Sequence, residues 1–175
     1  MIITAGKYKG QKIIAPDENI TRPTLSKVRM GIFNTLQAMI DFEGSSFLDM
    51  YAGSGIMGLE AISRGFDEVY AIEKNHKVAQ IIKSNYKKFP HCPKFFIGDS
   101  TKIVPKFNRT FDVIYIDPPY FSGIYEKSLE VIKEISSDIV ILEHVGNVDF
   151  KGYELIKQKN YGGKLITFLS PDITS

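Results

Sequence analysis

Four short stretches hold residues whose types and spacing could do chemistry together. The first is Asp49-Met50-Tyr51-Ala52-Gly53-Ser54-Gly55-Ile56-Met57-Gly58. Its glycines permit a tight turn and close backbone approach to a ligand, and they lead straight into a helix N-terminus. Taken alone, Gly53-x-Gly55-x-x-Gly58 fits a dinucleotide fingerprint, or merely a strand-to-helix turn that needs glycine. Asp49 sharpens the reading. A pyrophosphate loop would avoid a second negative charge there, whereas a carboxylate suits a ligand carrying an ammonium or sulfonium group. The second stretch ends in Glu73, where a carboxylate can accept both hydroxyls of a ribose. The third ends in Asp99, which can read an adenine amino group or cap the short helix that follows. The fourth runs from Phe111 into Asp117-Pro118-Pro119-Tyr120. Two prolines fix the backbone and remove N–H donors, so the loop presents acceptors only. The Asp117 carboxylate and the Pro118 carbonyl suit an –NH2 group with two hydrogens to donate. Tyr120 can stack on the flat ring that carries the amine.

Each of these stretches follows an apolar run, and the runs alternate with helical patterns. Phe47–Met50, Val69–Ile72, Lys94–Ile97, Phe111–Ile116 and Asp138–Leu142 read as strands. Ile56–Arg64, ended by Gly65, Asn75–Phe89 and Tyr125–Ile135 read as helices. Continuous apolar strands separated by helices predict an α/β fold with a mostly parallel sheet covered on both faces. Tyr153–Lys159 and Lys164–Leu169, around Asn160-Tyr161-Gly162-Gly163, read as a closing hairpin that adds an antiparallel edge. Ahead of the sheet, Ile2–Thr4 and Lys12–Ala15 read as a first hairpin, and Pro16–Pro23 as a loop. Thr24 is placed to cap a helix with Leu25, Val28, Ile32, Leu36 and Met39 on one face. In such sheets ligands sit beyond the carboxyl ends of the strands, where all four candidate stretches fall.

The chain has 175 residues, with 22 Lys plus Arg against 20 Asp plus Glu, a net charge of +2. That length predicts one domain, at most with a small appendage. The single cysteine, Cys92, excludes an internal disulfide. No apolar run approaches the ~18 residues a spanning helix needs. The first residues carry Lys7, Lys9 and Lys12 with no apolar stretch behind them, unlike a signal peptide, so a cytoplasmic location is expected. His76, His91 and His144 lack ligand spacing, and no metal is expected. The charge is uneven: residues 1–30 hold six basic groups and two acidic ones, and residues 74–94 hold six lysines and no carboxylate. A basic end of this kind suits a polyanion, because neutralised phosphates release counterions. For 74–94 a solvated lysine face is an equal alternative.

Together, Asp49–Gly55, Glu73, Asp99 and Asp117-Pro118-Pro119-Tyr120 resemble the motif series of class I S-adenosylmethionine-dependent amino-methyltransferases. Gly6-x-x-Lys9-Gly10, Arg22-Pro23-Thr24-x-x-x-Val28-Arg29 and Phe33-Asn34 are similar to the N-terminal signature of bacterial small-subunit rRNA guanine-N2 methyltransferases. The chain departs from that signature at Met30-Gly31, where an acidic residue is usual, and at Lys9, where arginine is more common. A lysine keeps a phosphate contact but not bidentate geometry. The resemblance implies a three-layer, Rossmann-like methyltransferase sheet of seven strands. Residues 1–40 would be an RNA-facing hairpin and helix, and 41–175 the methyltransferase domain. Cofactor contacts are implied for Asp49, Tyr51, Ala52, Gly53, Ser54, Gly55, Glu73, Asp99 and Ser100, and amine binding and catalysis for Asp117, Pro118, Pro119 and Tyr120. The implied cofactor is S-adenosylmethionine, with S-adenosylhomocysteine as product. The implied substrate is a guanine N2 amine of 16S rRNA, free or in the small subunit, and the enzyme is expected to be a monomer. Phosphate contacts are expected from Lys7, Lys9, Arg22, Lys27 and Arg29. The amine loop serves adenine N6 and cytosine N4 equally well, so guanine rests on the resemblance. A nicotinamide-dependent oxidoreductase remains open on the glycine loop and Glu73, although Asp49 and the prolines oppose it. A non-catalytic RNA-binding protein is opposed by the intact amine loop.

Overall fold

The computed structural model describes residues 1–17, 25–119 and 123–172. In chain order the elements are α1 (Ser26–Gln37), β1 (Ser46–Asp49), α2 (Ile56–Arg64), β2 (Glu68–Glu73), α3 (His76–Tyr86), β3 (Lys94–Ile97), α4 (Ser100–Ile103), β4 (Phe111–Ile116), α5 (Ile124–Val131), β5 (Ser136–His144), β6 (Tyr153–Tyr161) and β7 (Lys164–Pro171). The seven strands lie in the order β3-β2-β1-β4-β5-β7-β6. The first five are parallel, β7 runs antiparallel to β5, and β6 closes the edge against β7. From β1 the chain winds outward through β2 and β3, then returns to the other side of β1 with β4. The order therefore reverses between β1 and β4, which opens a crevice at their carboxyl ends.

The apolar runs sort by strand alternation into two covered faces. Phe47, Val113, Tyr115, Ile141, Ile166 and Phe168 face one core, with α1, α2 and α3 over it. Leu48, Ile114, Ile116, Val140, Leu142 and Leu169 face the other. Helix α2 matches its expected span, and Gly65 ends it in the left-handed conformation at φ 114°. Helix α3 starts one residue after Asn75, whose side chain accepts from the amides of Lys77 and Val78. Helix α5 stops at Val131, short of the expected Ile135, because the chain turns through Ile132 to Ile135 to enter β5.

The expected first hairpin is reduced to a single bridge between Ile2 and Lys12. The Ile3 and Ile13 amides donate across it, to the carbonyls of Gln11 and Met1, while other amides of the segment turn to the helices. The Thr4 amide donates to Glu60, that of Lys7 to the Ser63 carbonyl at 2.7 Å, and that of Ile14 to Asn85 Oδ1 at 2.9 Å. Residues 1–15 thus form a strap bound to α2 and α3, with Ile3, Tyr8 and Ile13 buried in the sheet's own core.

In α1, Val28, Ile32 and Leu36 are buried as expected, but Leu25 is 71% exposed and Phe33 and Arg29 join the core. Phe33 stacks on Phe47 with ring centroids 5.8 Å apart. The Thr24 cap lies outside the described residues. Arg29 requires a correction: expected to meet phosphate, it is 1% exposed. Its Nε lies 3.1 Å from Glu60, and its Nη2 donates to the Ile2 carbonyl at 2.6 Å. Glu60, itself fully buried, also pairs with Arg64 at 2.9 Å and accepts from the Thr4 hydroxyl. One buried carboxylate thus joins the strap, α1 and α2. Removing one partner of a buried pair leaves an uncompensated charge and costs about 3–5 kcal/mol. Glu60→Ala is therefore expected to lose stability of that order in urea unfolding, while a surface change such as Glu126→Ala stays within about 0.5 kcal/mol.

Candidate active site

Strand β1 delivers Asp49 as its last residue, fully buried. The chain then turns through Gly53 (φ 55°) and Gly55 (φ 80°) into α2. A Cβ on Gly55 would meet the Tyr86 ring at 3.0 Å, and one on Gly58 would meet Pro93 at 2.9 Å. The second and third glycines of the motif thus let α2 and α3 close on the turn. Tyr86 secures it by donating to the Gly55 carbonyl at 3.1 Å, and Ser54 Oγ accepts from the Ile56 amide.

Asp49 Oδ1 accepts from the Tyr51 amide at 3.3 Å, and Oδ2 has no partner although it is buried. Burial pushes this carboxyl well above the ordinary range. The Tyr51 amide opposes the shift, whereas the carboxylates of Asp117, Glu73 and Glu143 add to it. The carboxylates from the ends of β1, β2, β4 and β5 therefore act on one region. An orphaned buried oxygen beside a glycine turn fits a ligand that brings positive charge.

Glu73 accepts from the Gly53 amide at 2.9 Å and the Asn75 amide at 2.8 Å, one on each oxygen. It braces the glycine turn against β2, and a carboxylate's remaining lone pairs stay available to hydroxyls. Asp99 caps α4: its Oδ1 accepts from the Thr101 amide at 3.0 Å and hydroxyl at 2.8 Å, and these bonds lower its pKa. Its Oδ2 faces Lys74 at 3.8 Å. Ser100 is buried beneath it, and the half-buried Tyr51 reaches Ser128 of α5 at 2.7 Å. Ala52 holds the turn to the sheet by donating to the Ile72 carbonyl at 2.8 Å.

Asp117 follows β4 with its side chain 17% exposed. Burial raises its pKa, and Lys164, 3.5 Å away, pulls it down. Pro118 is buried and Pro119 exposed, so the rigid pair runs from core to surface. Tyr120 lies outside the described residues, as does Arg22.

Two charged side chains at this end escaped the sequence reading. Glu143, fully buried near the end of β5, takes the Tyr115 hydroxyl and lies 2.6 Å from Lys164. The strand-end rule that picked out Asp49 and Glu73 would have found Glu143 had β5 been extended past Leu142. Nothing local marks Lys164, which arrives from the antiparallel hairpin.

The basic residues take two positions. Lys7, Lys9, Lys12 and Lys27 are exposed. The strap carrying the first three is tied to α3 at Asn85, which both accepts from and donates to Ile14, and to the segment after α3 at His91, whose amide donates to the Tyr8 hydroxyl. Lys77, Lys83, Lys87 and Lys88 are exposed on and after α3. Of the six lysines in 74–94, only Lys74 and Lys94 pair with a carboxylate among the described residues. The two basic stretches therefore adjoin in space.

This sheet order with a strand-end glycine turn and an acidic crevice is the Rossmann-like architecture of methyltransferases. An Escherichia coli protein, yhhF, superposes with a TM-score of 0.86 over 98% of each chain at 22% identity. The family described as Conserved hypothetical protein 95 matches residues 1–170. Ribosomal RNA small subunit methyltransferase D of Buchnera aphidicola subsp. Acyrthosiphon pisum is 34% identical over 135 residues, 75% of this chain and 69% of that protein. YlbH of Bacillus subtilis is 32% identical over 151 residues, 83% of this chain and 79% of that one. The chain belongs to this family of small-subunit rRNA methyltransferases, the D type.

Among the described residues no group of His, Cys, Asp and Glu could hold a metal ion, and no helix is long and apolar enough to cross a membrane. The uncompensated Asp49 gives a direct expectation. A carboxyl with a raised folded-state pKa contributes stability when protonated, and that contribution is lost as pH rises through the raised value. Asp49→Asn is expected to make the ligand-free protein more stable at neutral pH and to remove that part of its pH dependence. Urea unfolding between pH 4 and 8 checks both.

Proposed function

We propose that this protein transfers the methyl group of S-adenosylmethionine to the exocyclic N2 amine of a guanine in small-subunit rRNA, working in the cytoplasm. The observation that carries the reading is the shared neighbourhood of Asp49 and Asp117. Asp49, one oxygen of which has no partner, feels the charge of Asp117 at the carboxyl ends of the adjacent strands β1 and β4.

The residues fit a cationic donor. Asp49 and the turn from Tyr51 to Gly55 would hold its charged end, Glu73 its ribose, and Asp99 with Ser100 the adenine side. When bound, S-adenosylmethionine supplies an electrophilic sulfonium methyl. The chain's task is then to aim a nitrogen lone pair at it, and such positioning supplies about 7–11 kcal/mol at best. A guanine N2 lone pair is delocalised into the ring. Hydrogen bonds from its two hydrogens to Asp117 and to the Pro118 carbonyl favour a pyramidal nitrogen with the lone pair free, and Tyr120 would hold the base by stacking. Positive charge builds on the nitrogen as the N–C bond forms, and Asp117 stabilises it. The methylated amine gives up one proton, for which the Asp117 carboxylate is an acceptor.

A base inside a helix cannot enter this crevice, so the substrate is a loop nucleotide or one swung out of its stack. Residues 1–40 would form the RNA-facing part, with Lys7, Lys9, Arg22 and Lys27 as phosphate contacts; Arg29 is spent on Glu60. The adjoining Lys83, Lys87 and Lys88 extend that surface. Lys7 is bonded to Ser63 near the far end of α2, roughly 12 Å along the helix from Gly55. A partner touching both is a polyanion long enough to span that distance.

The choice of guanine over adenine or cytosine is supported by the family's N-terminal signature, since the acceptor loop suits all three amines. Asp117→Ala is expected to lower methyl transfer by orders of magnitude while leaving S-adenosylmethionine affinity nearly unchanged by calorimetry. Equal loss of both would make Asp117 a structural residue. Changing Lys7, Lys9 and Lys27 to Gln is expected to weaken RNA binding and reduce the slope of log affinity against log salt by about 0.7 per lost contact on single-stranded RNA. An unchanged slope would return these lysines to a solvated face.

A further inference from the structure

Glu143 and Lys164 have no part in the reading above, yet they share the sheet face of Asp49 and Asp117. Strand register fixes this. Asp49 pairs with Tyr115, Tyr115 with Ile141, and Ile141 with Phe168. Two residues further along, Asp117, just past the end of β4, and Glu143 continue the alternation on that face, with Ile166 opposite Glu143. Lys164 lies two residues before Ile166, at the hairpin turn. Two carboxylates therefore reach one ammonium group, and one of them is fully buried. Like charges this close do not both ionise unless a cation compensates them.

Lys164 is that cation, and its geometry is uneven: 2.6 Å from Glu143 Oε1 and 3.5 Å from Asp117 Oδ1. Glu143, held in turn by the Tyr115 hydroxyl, fixes the ammonium group. Asp117 feels the charge at the longer distance and keeps its lone pairs for another partner. The hairpin tip that brings Lys164 here is itself seated on α1. Lys159 donates to the Thr35 hydroxyl at 2.6 Å, and Tyr161 occupies the space that a Cβ on Gly31 would fill.

We propose that Lys164 is a positioning residue that keeps Asp117 ionised beside Glu143, so that Asp117 acts purely as an acceptor for the hydrogens of the target amine. A protonated Asp117 would aim an O–H at the nitrogen lone pair and oppose the incoming methyl. This inference rests on the proposed methyl transfer. The charged and titratable groups that act on Asp117 are Asp49 from β1 and Lys164 from β7, the latter shared with Glu143 of β5 and its Tyr115 partner of β4. Burial raises the pKa of both Asp117 and Glu143, and Lys164 opposes the shift in each. Removing Lys164 therefore raises both further, and the ionised form needed for transfer is reached only at higher pH.

The test compares pH profiles of methyl transfer for the wild type, Lys164→Gln and the double variant Glu143→Gln/Lys164→Gln. In Lys164→Gln the acidic limb is expected to move up by about one to two pH units. Activity on that limb falls roughly tenfold per unit and approaches wild type at high pH. In the double variant the second carboxylate is also gone, and the limb returns toward its original position. A loss by the same factor at every pH, or a double variant no better than the single, would overturn the proposal. The carboxyl titration of Asp117, followed by 13C NMR in the free protein, is expected to move upward in Lys164→Gln without any substrate. An unmoved titration overturns the inference even if transfer proves to act on another molecule. A wild type inactive on small-subunit RNA, with Asp117 titrating as expected, would instead overturn the functional reading alone.

Discussion

The structure turns on an imbalance of charge at one end of its sheet. Asp49, Glu73, Asp117 and Glu143 converge from four neighbouring strands, and among the described residues Lys164 is the cation paired with them. Removing a carboxylate from water costs several kcal/mol even after relaxation, so such a cluster persists only where the surrounding fold is rigid and a ligand gains from it. The two covered faces of the sheet supply the rigidity. The reversal of strand order between β1 and β4 supplies the crevice. The Gly55 and Gly58 approaches to Tyr86 and Pro93 hold its floor in one shape.

The N-terminal strap belongs to this scheme more closely than its basic composition suggests. The backbone amides of Thr4, Lys7 and Ile14 donate to α2 and α3, and its apolar residues enter the same core as β1 and β4. Glu60 ties strap, α1 and α2 together through Arg29, Arg64 and Thr4. Whatever binds the exposed lysines of the strap therefore bears on the helix that starts at the glycine turn.

Much of the fold was legible because its signals are local. Continuous apolar runs such as Phe111–Ile116 and the Gly65 stop after α2 depend on nearby residues alone, and they match the structure. The glycine turn and the Asp-Pro-Pro loop were legible for the same reason. What escaped depends on distant partners. Arg29 reads as one more basic residue until Glu60, thirty-one positions away, turns it inward. The first hairpin forms only around the Ile2–Lys12 bridge, since the Thr4 and Ile14 amides find acceptors on α2 and α3 instead. Lys164 reaches Asp117 only through the pairing of β7 with β5, which no spacing in the sequence encodes. Asp99 caps α4 with one oxygen, as one of its two readings expected, and turns the other toward Lys74, which leaves the adenine contact a proposal.

The central claim is that a cationic methyl donor beside Asp49 meets a planar amine held at Asp117. It is tested most directly by transferring labelled methyl from S-adenosylmethionine to small ribosomal subunits that lack the modification and then identifying the labelled nucleoside. Label is expected in 2-methylguanosine at one position of the small-subunit RNA. Label in N6-methyladenosine or N4-methylcytosine, or subunits that take up none, would contradict it.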